Sequence, residues 1–195
     1  GLHYIAWSKR RLLHYFYDSE VKAYLVILLS VFVLTFITLS IYLEDPGASL
    51  IQESAFQVVS IATTTGFLTA NYSNWPLFVP ILLLFTAFIG ACAGSTGGGI
   101  KVVRTLVLAK QSASEITKLI HPNAVISIKL GKKAVSPRVA ESVWGFFSIY
   151  VIVFIFLFLF LLAQGNDFIT SFSAVGATLN NLGPGLGEVS NNYQS

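Results

Sequence analysis

Long apolar stretches of this chain are cut at regular intervals by short polar or glycine-rich segments. Ala23 to Leu43 runs 21 residues without a charge, and Ser142 to Ala163 runs 22. Each matches the roughly 20 helical residues needed to cross a bilayer core of about 30 Å. Ser54 to Ile100 contains no Asp, Glu, Lys or Arg over 47 residues, too many for one crossing. Polar backbone inside such a stretch survives only where protein buries it or where it faces water. The run Thr63-Thr64-Thr65-Gly66 and the run Gly94-Ser95-Thr96-Gly97-Gly98-Gly99 are therefore the segments that need a reason.

Read in order, the pattern predicts a first spanning helix over 23–43, ended by Glu44-Asp45-Pro46-Gly47. Ala48 to Ala62 is interrupted by Gln52, Glu53, Gln57 and Ser60, too polar and too short to face lipid throughout. It reads as a short re-entrant helix whose C-terminal, negative dipole end points at the threonine run and favours a cation there. Leu68 to Asn74 is a polar return loop. Trp75-Pro76 opens a further span to about Ala93, with Tyr72 and Trp75 suited to the membrane interface. The glycine run breaks that span. Helix resumes at Lys101 and continues to about Ile120, before His121-Pro122. Val125 to Pro137 alternates apolar and polar residues around Gly131-Lys132, a small hairpin outside the membrane. A spanning helix over 142–163 and a short semi-polar helix over 167–179 follow, then Asn180-Asn181-Leu182-Gly183-Pro184-Gly185-Leu186-Gly187. The order of span, short helix and polar glycine turn thus occurs twice. Gly66 lies 117 positions before Gly183, and Phe56 and Phe172 stand at similar distances ahead of them. Such repetition marks a pore assembled from similar units around an axis.

Composition agrees. The 195 residues are 54% hydrophobic and 11% charged, against about 25% charged in an ordinary soluble domain, and the mean hydropathy is +0.72. Full-length apolar runs indicate an all-α integral membrane protein rather than a barrel of alternating strands. The single cysteine, Cys92, excludes a disulfide within this chain. A pI near 9.0 would suit nucleic acid, but the basic residues flank apolar spans, so membrane topology accounts for them. All 12 Lys and Arg fall either at residues 9–22 or at residues 101–138. The positive-inside rule places both segments in the cytoplasm. An even number of crossings must separate them, and 23–43 with 75–93 supply two, so 48–67 must enter and leave on the outer side. Residues 1–22 form an amphipathic interfacial lead-in rather than a signal peptide, with Asp18 and Glu20 at the start of the next helix.

A potassium filter replaces an ion's water with backbone carbonyls, using residues that tolerate unusual φ and ψ. Thr63, Thr64, Thr65 and Gly66 meet that need, with threonine hydroxyls as further oxygens; the plainer reading is an ordinary polar helix end. Gly94 to Gly99 is no Walker loop, because Ile100 precedes Lys101 and Val102 follows it. A flexible helix break below the filter fits better, with Ser95 and Thr96 bonding freed peptide groups and few packing contacts. Lys101 would cost about 3 kcal/mol at the centre of a membrane helix, so it belongs at the cytoplasmic side or on a water-filled path. Lys101 and Arg104 below the loop would repel cations while it is closed. Glu53 and Asp167 head the two short helices, as caps or as attractors of cations at the outer mouth. His3, His14 and His121 lack metal-ligand spacing, and Asn71-Tyr72-Ser73 is a glycosylation sequon of little weight. No catalytic residue emerges, so an enzyme is not expected.

The runs ATTTGF, GSTGGGIKVVR and ATLNNLGPGLG resemble the third and fourth repeats of a TrkH-type subunit of the Trk/Ktr/HKT potassium-transporter superfamily. That resemblance covers nearly the whole chain. It implies M1–pore-helix–M2 units of potassium-channel type, four in a polypeptide, each giving one filter strand. By it, Thr63 to Gly66 and Asn180, Asn181, Leu182 and Gly183 carry the filter, with K+ at Thr63, Thr64, Asn180 and Asn181. Gly94, Ser95, Thr96, Gly97, Gly98, Gly99 and Lys101 form the gate. It implies potassium as the transported ion with no organic cofactor. It also implies a cytoplasmic TrkA-type nucleotide-binding regulatory subunit, a homodimer of the full-length chain, and a bacterial inner membrane. The expected units are a lead-in at 1–22, one repeat at 23–120, a cytoplasmic linker at 121–137, and a second repeat at 138–195 lacking its M2. The chain is then expected to be a fragment of a longer polypeptide. A sodium-permeable HKT-like transporter, a membrane enzyme with a glycine-rich anion-binding loop, and a non-conducting assembly subunit are the competing readings. Glycine rather than serine at residue 66 favours potassium.

Overall fold

The computed structural model describes residues 18–43, 49–121, 128–131 and 133–189. The lead-in before residue 18, Glu44-Asp45-Pro46-Gly47, His3, His14, Pro122 and Lys132 lie outside them. Apart from one small ribbon, the described residues are helical. Helix α1 spans Ser19–Tyr42, α2 Leu50–Ala62, α3 Phe78–Ile89, α4 Val102–Ile120, α5 Pro137–Ala163 and α6 Phe168–Leu179. Single 3-10 turns occur at Tyr72–Asn74 and Gly187–Val189, and strands β1 (Lys129–Leu130) and β2 (Lys133–Ala134) pair antiparallel in the predicted hairpin.

Helix α1 starts where Asp18 accepts a 2.8 Å bond from the Glu20 N–H, a capping arrangement. Within it Ser30, Thr38 and Ser40 turn their hydroxyls back onto carbonyls four residues earlier, so none meets lipid unpaired. Helix α5 begins at Pro137 rather than Ser142, because proline is well placed in a first turn. The charges of Arg138 and Glu141 therefore ride on its first turns. Helices α1 and α5 are long and apolar enough to cross a membrane. On α5, Ile149, Ile152 and Phe156 are 64%, 65% and 67% exposed, the reverse of a core helix of a soluble protein.

The break after α3 also differs from the sequence reading. Helix α3 stops at Ile89, not Ala93, because Gly90 takes φ 71 and the chain turns away. Its 12 residues cover only about 18 Å. The break therefore begins at Gly90 rather than Gly94 and lasts to Lys101. The core sits where α2, α3 and α6 meet, joining Val58 and Ile61 to Val79, Leu83, Leu84 and Ala87, with Ala177, Leu182 and Leu186. Phe88 caps this core, packed edge-on to Phe154 with centroids 5.4 Å apart.

Candidate functional site: two polar turns and a glycine loop

Helices α2 and α6 end in the same way, 117 residues apart. Thr63 has φ −84 and ψ −2, and Asn180 has φ −95 and ψ 3. The next residues, Thr64 and Asn181, are left-handed at φ 54 and 52, and Gly66 and Gly183 have φ 78 and 95. The N–H groups of Thr63, Thr64 and Thr65 donate to Val59, Ile61 and Ser60 at 2.9, 3.0 and 2.8 Å. Those of Asn180, Asn181 and Leu182 donate to Gly176, Thr178 and Ala177 at 3.2, 3.1 and 2.8 Å. Every donor and acceptor in the second set is the first set shifted by 117 positions. Each is a Schellman ending, in which the last helical carbonyls are satisfied by the N–H groups that follow.

That ending leaves the turns' own carbonyls free. Among the described residues no donor reaches the carbonyl oxygens of Thr63 to Gly66 or of Asn180 to Gly183. Bare carbonyls are costly to bury without a partner, and a dehydrated cation is a chemical partner for such a group. The side chains are otherwise engaged. Thr63 Oγ1 donates to the Val59 carbonyl at 2.7 Å and lies 2.7 Å from Thr65 Oγ1. Asn180, wholly buried, donates to the Gly176 carbonyl at 2.7 Å and accepts from the Tyr150 hydroxyl at 2.8 Å. Leu182 buries its side chain in the core, while Thr65, Asn181 and Gly183 are exposed. At Asn180 it is the backbone carbonyl, not the amide side chain, that lacks a donor among the described residues.

Past each turn the chain runs back along its helix. Ser60 donates to the Phe67 carbonyl at 2.6 Å and Gln57 to the Ala70 carbonyl at 3.0 Å. In the second case Ser173 Oγ accepts from the Leu186 N–H at 2.8 Å, and Thr170 Oγ1 accepts from the Glu188 N–H at 3.3 Å. The two returns are joined by Tyr72, whose hydroxyl donates to the Gly185 carbonyl at 2.9 Å. The turns themselves touch, since a Cβ on Gly66 would strike the Leu182 carbonyl.

The loop between α3 and α4 closes on this pair. Ile100 N–H donates to Phe88 at 2.9 Å and Val102 N–H to Ala91 at 3.2 Å, pinching the base of the loop. Gly98 N–H donates to Thr64 Oγ1 at 2.8 Å. A Cβ on Gly97 would lie 3.0 Å from the Thr63 carbonyl oxygen, and one on Gly98 would overlap the Asn180 carbonyl. The loop thus meets both turns at once. The tip of the loop, Gly94, Ser95 and Thr96, is exposed; Gly97 to Gly99 lack side chains because backbone presses on them. Ser95 Oγ bonds the Cys92 carbonyl at 2.7 Å as expected, whereas Thr96 makes no such bond among the described residues.

Lys101 folds back on the loop. Its ammonium donates to the Ser95 carbonyl at 3.0 Å, to Ser95 Oγ at 3.3 Å and to the Gly97 carbonyl. From the other side the Glu20 carboxylate accepts from the Ala93 N–H. Arg104 does not join Lys101: its guanidinium lies 4.3 Å over the Phe146 ring of α5. Asp167 caps α6, accepting from Ile169 and Thr170 N–H at 3.0 and 3.1 Å. Hydrogen bonds from Thr170 hold its carboxyl below the usual value. Glu53 is no cap; Ser49 occupies that position on α2. His121 ends α4, and no group of His, Cys, Asp and Glu with metal-binding proximity occurs among the described residues.

Sequence reasoning passed over Tyr150 and Gly90; it placed Tyr72 at the membrane interface and Glu20 at a helix start, without their bonds to Gly185 and to the Ala93 N–H. Tyr150 carried a usable signal, since a phenol in the middle of an apolar span needs a buried partner.

Comparison with known proteins places these features in context. The family model TrkH, described as cation transport protein, matches residues 3–195. The Trk system potassium uptake protein TrkH of Halomonas elongata is 46% identical over 193 residues, 99% of this chain and 40% of that protein. Its namesake in Escherichia coli K12 is 49% identical over 196 residues, 100% of this chain and 41% of that protein. The crystal structure of the potassium transporter TrkH from Vibrio parahaemolyticus matches with a TM-score of 0.88 at 48% identity, covering 96% of this chain and 41% of that one. This chain spans about two fifths of the length of these relatives.

Proposed function

Because this chain belongs to the TrkH family of cation transport proteins, membrane transporters rather than enzymes, we propose that it forms part of a potassium-uptake pore. The observation that supports this most is the pair of alike turns whose carbonyls have no donor among the described residues. In this reading Thr63 to Gly66 and Asn180 to Gly183 are two strands of one selectivity filter. Their carbonyls replace the hydration shell of K+, and the C-terminal ends of α2 and α6 add a negative potential there. Both short helices re-enter on the outer face, and the two halves are successive repeats, an M1–pore-helix–M2 unit over 23–120 and an M1–pore-helix unit over 138–195. Gly90 to Lys101 is the gate, lying against the cytoplasmic ends of both turns. Lys101 holds the loop's carbonyls inward and adds a positive charge in the ion's way.

The same reading puts the chain in a bacterial inner membrane, with residues 1–18 and 101–138 in the cytoplasm. There a TrkA-type nucleotide-binding subunit would act on α4, and the full-length chain would pair as a homodimer. Glycine at residue 66 favours potassium over sodium as the transported ion. Expression of the full-length gene in cells lacking their own potassium uptake tests the proposal. Growth at micromolar potassium is expected with the wild type and not with Gly66→Asp, which puts a side chain and a charge between the turns. Equal growth with both would sink the reading.

A further inference from the structure

Thr64 is an unlikely residue for its backbone. It stands at φ 54, in a left-handed conformation that β-branched residues avoid. The corresponding position of α6 carries Asn181, at φ 52, and asparagine tolerates that conformation well. Glycine is the usual occupant of this place in a Schellman ending. Thr64, a residue only 9% exposed, differs from both in one contact: its hydroxyl accepts the Gly98 N–H at 2.8 Å.

Resting on the pore reading above, we propose that Thr64 is a positioning residue that couples the glycine loop to the filter. With the loop seated, the Gly98 N–H holds Thr64 Oγ1 and stabilises the strained backbone, fixing where the carbonyls of Thr63 and Thr64 stand. When the loop withdraws, that bond is lost and the strain is no longer opposed. Gate position and ion discrimination then change together, through one hydrogen bond. The loop has a second contact on the other turn, because Gly98 abuts the Asn180 carbonyl. That contact is steric, so only the Thr64 side carries a bond that can be made and broken.

The test uses the full-length protein reconstituted in liposomes, with Thr64→Val, Thr64→Gly and Thr64→Ser. Valine keeps the shape and removes the acceptor; glycine removes the acceptor and also relieves the strain; serine keeps the hydroxyl. Rubidium and sodium fluxes are read without any regulatory subunit, together with hydrogen exchange of segment 94–100. Valine and glycine are each expected to raise loop exchange and closed-state flux about fivefold, the factor given by loss of one ordinary hydrogen bond. Both should lower the rubidium-to-sodium flux ratio, and serine should restore most of it. Wild-type exchange and flux ratio in Thr64→Gly would overturn the coupling while leaving the pore reading intact. If the wild type moves no rubidium, the pore reading fails. Exchange at 94–100 then still decides whether Thr64 holds the loop, and Thr64→Val or Thr64→Gly exchanging like the wild type would overturn it.

Discussion

The hydroxyl of Tyr150, near the middle of α5, donates a 2.8 Å hydrogen bond to the side-chain oxygen of Asn180 at the end of α6. Asn180 has no exposed surface, and its amide nitrogen is already bonded to Gly176. One long apolar helix thus fixes the first residue of a polar turn. Tyr150→Phe would leave the Asn180 oxygen buried without a donor, at a cost of about 1–3 kcal/mol. Unfolding in detergent should show that loss, and rubidium uptake should weaken through a displaced turn. Wild-type stability in the variant would mean that another donor replaces the phenol.

The two turn glycines should differ in their sensitivity to alanine. At both, the positive φ makes a side chain unfavourable by roughly 1–2 kcal/mol. At Gly66 the new Cβ also collides with the Leu182 carbonyl, whereas at Gly183 it meets nothing within 4 Å among the described residues. Gly66→Ala should abolish uptake by the full-length protein, and Gly183→Ala should leave a measurable fraction. The reverse order would argue against the contact between the turns.

These points mark what the sequence made legible. Spans over 23–43 and 142–163 stand out because an unbroken apolar run has few alternatives. The turns stand out because glycine and polar residues interrupt such runs only for a reason. The early end of α3 was hidden, since Ile89-Gly90-Ala91-Cys92-Ala93 reads as continuous apolar helix. Its cause is distant: Gly90 packs on Gly98 and Gly99. The seating of the loop on Thr64 and Asn180 was hidden for the same reason, because contacts across 34 and 82 positions (98 − 64 and 180 − 98) leave no local trace. The stacking of Arg104 on Phe146 was hidden too, because charge pattern does not reveal which face an aromatic neighbour occupies.

Gly98→Ala should hold the loop out of its seat, because the added methyl overlaps the Asn180 carbonyl. Deletion of Gly97-Gly98-Gly99 should act in the same direction. In full-length protein both are expected to raise ion flux and weaken its dependence on a regulatory partner. Unchanged flux in a folded variant would reduce the loop to a passive kink.

Asp167 provides a test by pH. Its carboxyl is held below the usual value by Thr170 and by the α6 backbone. A depressed native pKa adds stability at high pH that is lost as pH falls through the ordinary carboxylate value, about 3.9, to below the native one. Asp167→Asn keeps a good cap but does not titrate. The melting temperature of the wild type should therefore fall further than that of Asp167→Asn between about pH 5 and pH 3. Parallel profiles would show that the cap is insensitive to its charge.

The proposed topology is open to labelling. With Cys92 replaced, single cysteines at Asn74 and Ser136, both exposed, should react differently with an impermeant maleimide on intact cells. Asn74→Cys should label from outside and Ser136→Cys only after lysis. Equal labelling from outside would contradict the placement of residues 101–138 in the cytoplasm.

In the proposed pore the carbonyls of residues 63–66 and 180–183 belong to one ion site. Anomalous diffraction from crystals of the full-length protein grown with thallium or rubidium addresses it directly. A peak lying between the two turns, within coordinating distance of both sets of carbonyls and lost in Gly66→Asp, is the expected result. Anomalous density found only elsewhere, with none between the turns, would contradict it.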